Sequence, residues 1–127
     1  MLGELTFPES FVARSGIVNV MARHTTTAVS INEYEPQLMA DVRQWLQTAV
    51  PPSHPYLHNE LAFRPEVTWE NEPINAHSHI MSMVLGQTLS VPLVDGALTL
   101  GTYQSVIHWE LDGRGQDRKV AVQIMGG

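Results

Sequence analysis

Gly16-Ile17-Val18-Asn19-Val20-Met21-Ala22-Arg23-His24-Thr25-Thr26-Thr27-Ala28-Val29-Ser30-Ile31 is the stretch on which the fold turns. From Gly16 to Arg23, Ile17, Asn19 and Met21 alternate with Val18 and Val20, the period-two pattern of a half-buried strand. Thr26 to Ile31 is rich in β-branched residues, which pack well on a pleated surface, and predicts a second strand. His24-Thr25 then falls at the junction between them. The chain builds sheet early and places an imidazole at a bend.

Outward from there the pattern changes to helix. Pro36 suits a first helical position, where a missing N–H does no harm. Leu38, Val42, Trp45, Leu46 and Ala49 follow as one apolar stripe. Pro51-Pro52 ends the helix, and Ser53 to Pro73 reads as a long loop with one short strand. Ile74 to Leu85 predicts a second helix, closed by Gly86. Short strands follow at Thr88–Leu93 and Ala97–Leu100, split by a turn at Asp95-Gly96. Thr102–Leu111 and Arg118–Met125 are expected to pair as a hairpin around the turn from Asp112 to Asp117. The fold class is α+β: mostly antiparallel strands with two helices, without βαβ alternation or repeats. The 127 residues, 43 % of them hydrophobic, suit one domain, 1–127, with a real core.

Composition narrows the function. The formal net charge is −6, with seven Lys and Arg scattered along the chain, so no basic stripe exists to neutralise nucleic-acid phosphates. No apolar run is long enough to span a membrane, and the first residues lack the basic and apolar regions of a secretion signal. The expected location is cytoplasmic. The absence of cysteine excludes disulfides, Fe–S clusters and thiolate-held zinc. Any metal site is therefore built from His and carboxylate, with room left for water or substrate.

Six histidines make imidazole the carrier of choice for chemistry. His24 opens a run of threonines, and Thr25 brings a hydroxyl able to orient the ring or a substrate. The plain reading, a hydrogen-bonded histidine at a strand end, has about even odds. His77 and His79, in Asn75-Ala76-His77-Ser78-His79, share a face on a strand but lie about 200° apart on a helix. As helical residues, one of them is a ligand and the other stands behind it. His77 falls on the apolar stripe with Ile74, Met81 and Val84. Asn32-Glu33 most simply marks a helix entry, yet Glu33 is a natural general base if a short return brings it to His24. His58, within His58-Asn59-Glu60 on the long loop, is a better candidate than His54, and His108 reads as structural. No P-loop, GxGxxG, GxSxG or HExxH motif is present.

Several separate motifs occur in one order: His24-Thr25-Thr26-Thr27-Ala28-Val29-Ser30-Ile31-Asn32-Glu33, Tyr56-Leu57-His58, Asn75-Ala76-His77-Ser78-His79-Ile80, Val91-Pro92, Gly96 to Gln104, Glu110, and Arg118-Lys119-Val120. In this order they resemble the YjbQ-type family of secondary thiamine-phosphate synthase-like proteins, over about residues 16–126. The N-terminus is shorter than is usual there, so that an edge strand is either missing or replaced by Met1 to Phe11, and Tyr103 replaces a Trp. The resemblance implies an α+β sandwich that assembles as a homotrimer with sites near subunit boundaries. It implies a transferase that joins a hydroxymethylpyrimidine pyrophosphate to a thiazole phosphate, hence a small phosphorylated substrate. The expected catalytic residues are Glu33, His24 and His79. The expected substrate contacts are Thr25, Asn32, Gln104 and Arg118. A divalent metal, Zn or Mg, is expected on His24, His58 and His79, with His77 in reserve. Displacing pyrophosphate requires that its charge be neutralised, by the metal or by Arg23 and Arg118 converging.

Overall fold

A computed structural model describes residues 2–60, 62, 73–113 and 117–127. The strands are β1 (Leu2–Leu5), β2 (Gly16–Ala22), β3 (Thr27–Asn32), β4 (Thr88–Val94), β5 (Ala97–Leu98), β6 (Ser105–Glu110) and β7 (Val120–Gly126). The helices are α1 (Pro36–Ala49) and α2 (Ala76–Leu85), with a 3₁₀ turn at Leu57–Asn59. The strands form two antiparallel sheets, ordered β1-β6-β3 and β5-β4-β2-β7.

Three layers follow from the side-chain pattern. Val18, Val20 and Ala22 point from β2 between the sheets and meet Val29 of β3, with Leu5, Phe7, Phe11 and Leu89 around them. The opposite face of the three-stranded sheet carries Ala28, Ile107 and Trp109 and receives Met39 of α1. Leu46 of α1 and Val50, which caps its C-terminal end, close the helical layer against Met81 of α2. Both helices lie on one sheet, the usual arrangement of an α+β protein.

α1 starts where Pro36 predicts, because the Glu35 carboxylate accepts the Leu38 and Gln37 N–H groups as an N-cap. α2 starts at Ala76, later than the apolar pattern suggests, since Asn75 takes the cap position with a non-helical backbone. Gly86 ends it at φ 100°, a conformation that favours glycine.

The expected hairpin of Thr102–Leu111 with Arg118–Met125 does not form. β6 pairs with β1 and β3, whereas β7 pairs with β2. The residues between them carry the chain from one sheet to the other. Both strands have alternating patterns, and alternation records which side is inward but not which sheet supplies the partner. Thr102-Tyr103 forms a turn ahead of β6, and β1 occupies the N-terminal stretch. The short strand expected within Ser53–Pro73 falls largely on residues 61 and 63–72, outside the described residues, as do 114–116 of the Asp112–Asp117 turn.

A buried polar knot holds the corner where β2 leaves one sheet and β3 enters the other. Gly86 C=O accepts Val29 N–H at 3.0 Å, and Gln87 C=O accepts Ala22 N–H at 2.8 Å, so one dipeptide serves both sheets. Gln87 Nε2 donates to His24 C=O (2.8 Å) and to Ser82 Oγ (2.9 Å), while Ser82 Oγ donates to Thr27 C=O (2.6 Å). Ser82 is wholly buried, so its hydroxyl has no water to fall back on. Replacing it strands an acceptor and a donor. Ser82→Ala should lower unfolding stability by about 1–3 kcal/mol. A urea melt should show a lower midpoint at unchanged slope, and an unshifted midpoint would refute the role of the knot.

Candidate functional site

Polar side chains gather where β3, β6, α2 and the start of β7 meet. Glu110, the last residue of β6, grips Arg118 in a two-pronged ion pair: Nε to Oε1 at 2.6 Å and Nη2 to Oε2 at 2.7 Å. Arg118 Nη2 also donates to Thr26 Oγ1 at 3.0 Å. His24, two residues earlier, accepts the Lys119 N–H on Nε2 at 2.9 Å.

The same carboxylate leads the other way. Glu110 Oε2 accepts the N–H groups of Asp112 (3.1 Å) and Gly113 (3.4 Å). Asp112 Oδ2 accepts from Asn75 Nδ2 at 3.0 Å, and Asn59 Oδ1 accepts the Ala76 N–H at 3.1 Å. Beside Asn59, the rings of His58 and His79 meet edge to face with centroids 4.8 Å apart. A belt of hydrogen-bonded residues and short chain links thus runs from the imidazole pair, along the start of α2, to Arg118 and His24.

The electrostatics of the belt centre on Glu110. The hydrogen bonds from Arg118 are the largest cause that holds its carboxyl far below the usual 4.5, at about 2; burial opposes them and the Asp112 N–H assists. The Arg118 guanidinium is raised in turn, chiefly by the same bonds. His108, facing the gap between the sheets, has its pKa lowered first by burial, against the pull of Glu110 and with help from Arg118 and His24. Its Nε2 is buried without a protein partner.

The expected site residues divide between two places. His24, Thr25 and Arg118 lie at one end of the β3–β6 pair. His58 and His79 lie at the N-terminal turn of α2, whereas Gln87, just beyond the C-terminal end, holds His24. Asn32, Glu33 and Gln104 lie at the other end of β3–β6, where Asn32 is opposite Ser105. Asn32 Oδ1 accepts the Glu33 N–H (2.8 Å), and Gln104 Oε1 accepts the Gly101 N–H (2.7 Å). The short return expected to join Glu33 to His24 is absent within the chain. β3 stays extended from Thr27 to Asn32, and its ends are roughly 17 Å apart at about 3.3 Å per residue.

α2 puts His77 and His79 on different sides, as helical periodicity requires. His77 lines a cavity of about 170 Å³ with Leu46, Met81 and Trp109. Its Nδ1 is buried without a partner. The rings of His58 and His79 are in edge-to-face contact. Among the described residues no three His, Cys, Asp or Glu side chains gather to hold a metal ion, so His24 does not complete the set within the chain. In the sequence, Glu110 and Asn75 stand in the motif order without an assigned role, and Asp112 reads as turn chemistry alone.

Two antiparallel sheets, with two helices on one of them and a polar belt at the sheet corner, define a small α+β protein of YjbQ-like architecture. The family model described as "UPF0047 protein YjbQ-like" matches residues 7–127, and the chain belongs to this family. The match reaches back beyond residue 16, the start of the extent read from the sequence. A UPF0047 protein of Methanothermobacter thermautotrophicus is 38 % identical over 118 residues, which is 93 % of this chain and 74 % of that protein. One from Archaeoglobus fulgidus is 34 % identical, over 89 % of this chain and 80 % of its own length. Among solved structures, a YbjQ-like protein of unknown function from Sulfolobus solfataricus P2 superposes with a TM-score of 0.85 at 28 % identity, covering all of this chain and 88 % of its own. A hypothetical protein of Aeropyrum pernix K1 gives 0.78 at 32 % identity, covering 91 % and 77 %. No helix among the described residues is long and apolar enough to cross a membrane.

The depressed Glu110 carboxyl and the depressed His108 imidazole make acid stability a readout of the belt. A carboxylate with a lowered folded pKa contributes stability above its unfolded value of about 4.5 and loses it as pH falls toward about 2. A lowered imidazole pKa means that the unfolded chain binds more protons, so stability also falls as pH drops below 6.5. Glu110→Gln should remove the steep component between about 4.5 and 2 and keep the shallower loss below 6.5. Urea melts across that range test this, and an unchanged acid limb would refute it.

Proposed function

We propose that this protein is a cytoplasmic, homotrimeric transferase of the secondary thiamine-phosphate synthase type. The reaction joins a hydroxymethylpyrimidine pyrophosphate to a thiazole phosphate. The thiazole nitrogen forms a bond to the pyrimidine methylene carbon, and the carbon–oxygen bond to pyrophosphate breaks. The observation that carries this reading is the continuous belt from the His58–His79 pair to Arg118 and His24. It offers imidazole and guanidinium groups where two phosphorylated substrates need anion partners.

A divalent metal, Zn or Mg, would be held by His58 and His79 and would supply Lewis-acid neutralisation of phosphate charge. Arg118, buttressed by Glu110, keeps its Nη1 edge for substrate. Thr25 and His24 stand beside it. Asn32, Glu33 and Gln104 belong to the same site only when one subunit presents them to the next, since a strand length separates them from His24 within a chain. The homotrimer comes from the family resemblance, and that separation is the reason for placing the sites between its subunits, with Glu33 as acid or base on a substrate bound across the boundary.

The same separation favours one rival: a non-catalytic module that binds metal or a small ligand at the belt, with Glu33 merely a helix-entry residue. Mixed oligomers decide between them. Glu33→Gln and His79→Ala should each lower thiamine-phosphate formation by about 10²–10⁴-fold. Oligomers assembled from both variants should regain part of it, because some sites then combine two intact halves. His77→Ala should reduce stability and leave turnover alone. A monomer by light scattering, or mixed oligomers as inactive as their parents, would sink the shared-site reading; unaltered zinc binding with no turnover in any form would install the binding module.

A further inference from the structure

The fold dictates where the proton sits on His24. Lys119 N–H points at Nε2 from 2.9 Å. A backbone N–H only donates, so Nε2 must present its lone pair, and the neutral ring carries its hydrogen on Nδ1. Turning the ring over would set a carbon against the amide and forfeit the bond. The main chain on both sides is tied down: His24 C=O accepts from Gln87 Nε2 at 2.8 Å, and Arg23 N–H donates to Lys119 C=O at 3.1 Å. The ring therefore meets the amide of β7's leading segment in one register.

Two roles close as a result. A metal ion requires a free ring lone pair, but the lone pair on Nε2 is engaged and Nδ1 carries the hydrogen. A general base at Nε2 would turn an acceptor into a donor facing a donor. What remains is Nδ1–H as a hydrogen-bond donor. Among the described residues Nδ1 meets no hydrogen-bond partner, and it is not among the buried polar atoms left without one, so it is accessible.

The surroundings select the acceptor. Arg23, Arg118 and Lys119, three of the seven Lys and Arg in a chain of net charge −6, collect at this corner. Glu110 pairs with Arg118, and Asp112 and Asp117 also lie close, so the cations left to face a ligand are the exposed Arg23 and Lys119. We propose that His24 is a locked, neutral donor that binds an oxyanion of the ligand, a phosphate or carboxylate group, through Nδ1–H. A neutral imidazole in this position polarises or anchors without giving up a proton. The proposal rests on the functional reading only for placing His24 at the ligand site. It assigns His24 the anion and leaves the metal to His58 and His79.

The test uses the full chain with nitrogen-15 in its histidines. Long-range proton–nitrogen spectra at neutral pH should show His24 as the Nδ1–H tautomer. Inorganic phosphate should shift its nitrogens, with acetate as the comparison that separates phosphate from carboxylate. Zinc should shift those of His58 and His79 and spare His24. His24→Phe should weaken phosphate binding by about 10- to 100-fold, the usual worth of a hydrogen bond to a charged group. His24→Asn, which can return an N–H near the Nδ1 position, should restore most of it. An Nε2–H pattern, a His24 ring that zinc titrates together with His58 and His79, or one that ignores both anions would overturn the proposal. So would His24→Asn binding as weakly as His24→Phe. Loss of transferase activity alone would touch the functional reading and leave these spectra to stand.

Discussion

One amide side chain, Gln87, fastens the corner on which the two-sheet structure depends. The chain leaves β2, turns through His24-Thr25-Thr26 and enters β3 in a different sheet, exposing backbone groups that neither ladder satisfies. Gln87 Nε2 binds His24 C=O and Ser82 Oγ, and Ser82 reaches Thr27 C=O, so both sides of the corner are joined to the end of α2. An unpartnered buried carbonyl is costly, and this arrangement provides partners for those of His24 and Thr27. The corner also sets the height of His24 relative to β7. Fold and site share this fixed point.

The ion pair of Glu110 and Arg118 does comparable work at the second sheet crossing. After β6 the chain must cross to β7, and the two-pronged pair spans that crossing from the last residue of one strand to the approach of the next. Both side chains are about nine-tenths buried, where breaking such a pair costs far more than an exposed one. Glu110 also caps the turn at Asp112 and Gly113, and Asp112 holds Asn75 at the head of α2. The acid that clamps the sheets therefore positions the helix that carries His79. Thr26, bound by the same guanidinium, links the clamp back to the first corner.

Several features were legible before any coordinates because they rest on local chemistry. Alternation from Gly16 to Arg23 predicts the strand β2, of which Val18, Val20 and Ala22 are the buried residues. Pro36 after Glu35 predicts the start of α1, and the Pro51-Pro52 pair its end. The motif order pointed to the YjbQ-type family, and the match over residues 7–127 bears out membership in the UPF0047 YjbQ-like family and is silent on thiamine-phosphate synthesis. The hairpin expected from residues 102–125 failed for a definite reason. Two strands adjacent in sequence usually pair, and nothing local records an ion pair that holds them in separate sheets. Glu110 looked like the polar half of an alternating strand, and Asp112 like a turn residue. Their importance lies in partners eight and 37 residues away.

By itself the sequence determined the α+β class, the strand β2, the boundaries of α1, and imidazole as the only ligand chemistry beside carboxylate. Each follows from side-chain periodicity, from proline and glycine geometry, or from composition, which act within a few residues. Only the tertiary structure decided the sheet to which each strand belongs, the pairing of His58 with His79, the distance of Glu33 from His24, and the nitrogen of His24 that is already engaged. These depend on contacts between residues far apart in the chain, such as the Lys119 amide meeting an imidazole 95 positions earlier. A residue's type states what it can bond. Its partner is settled only when the chain closes on itself.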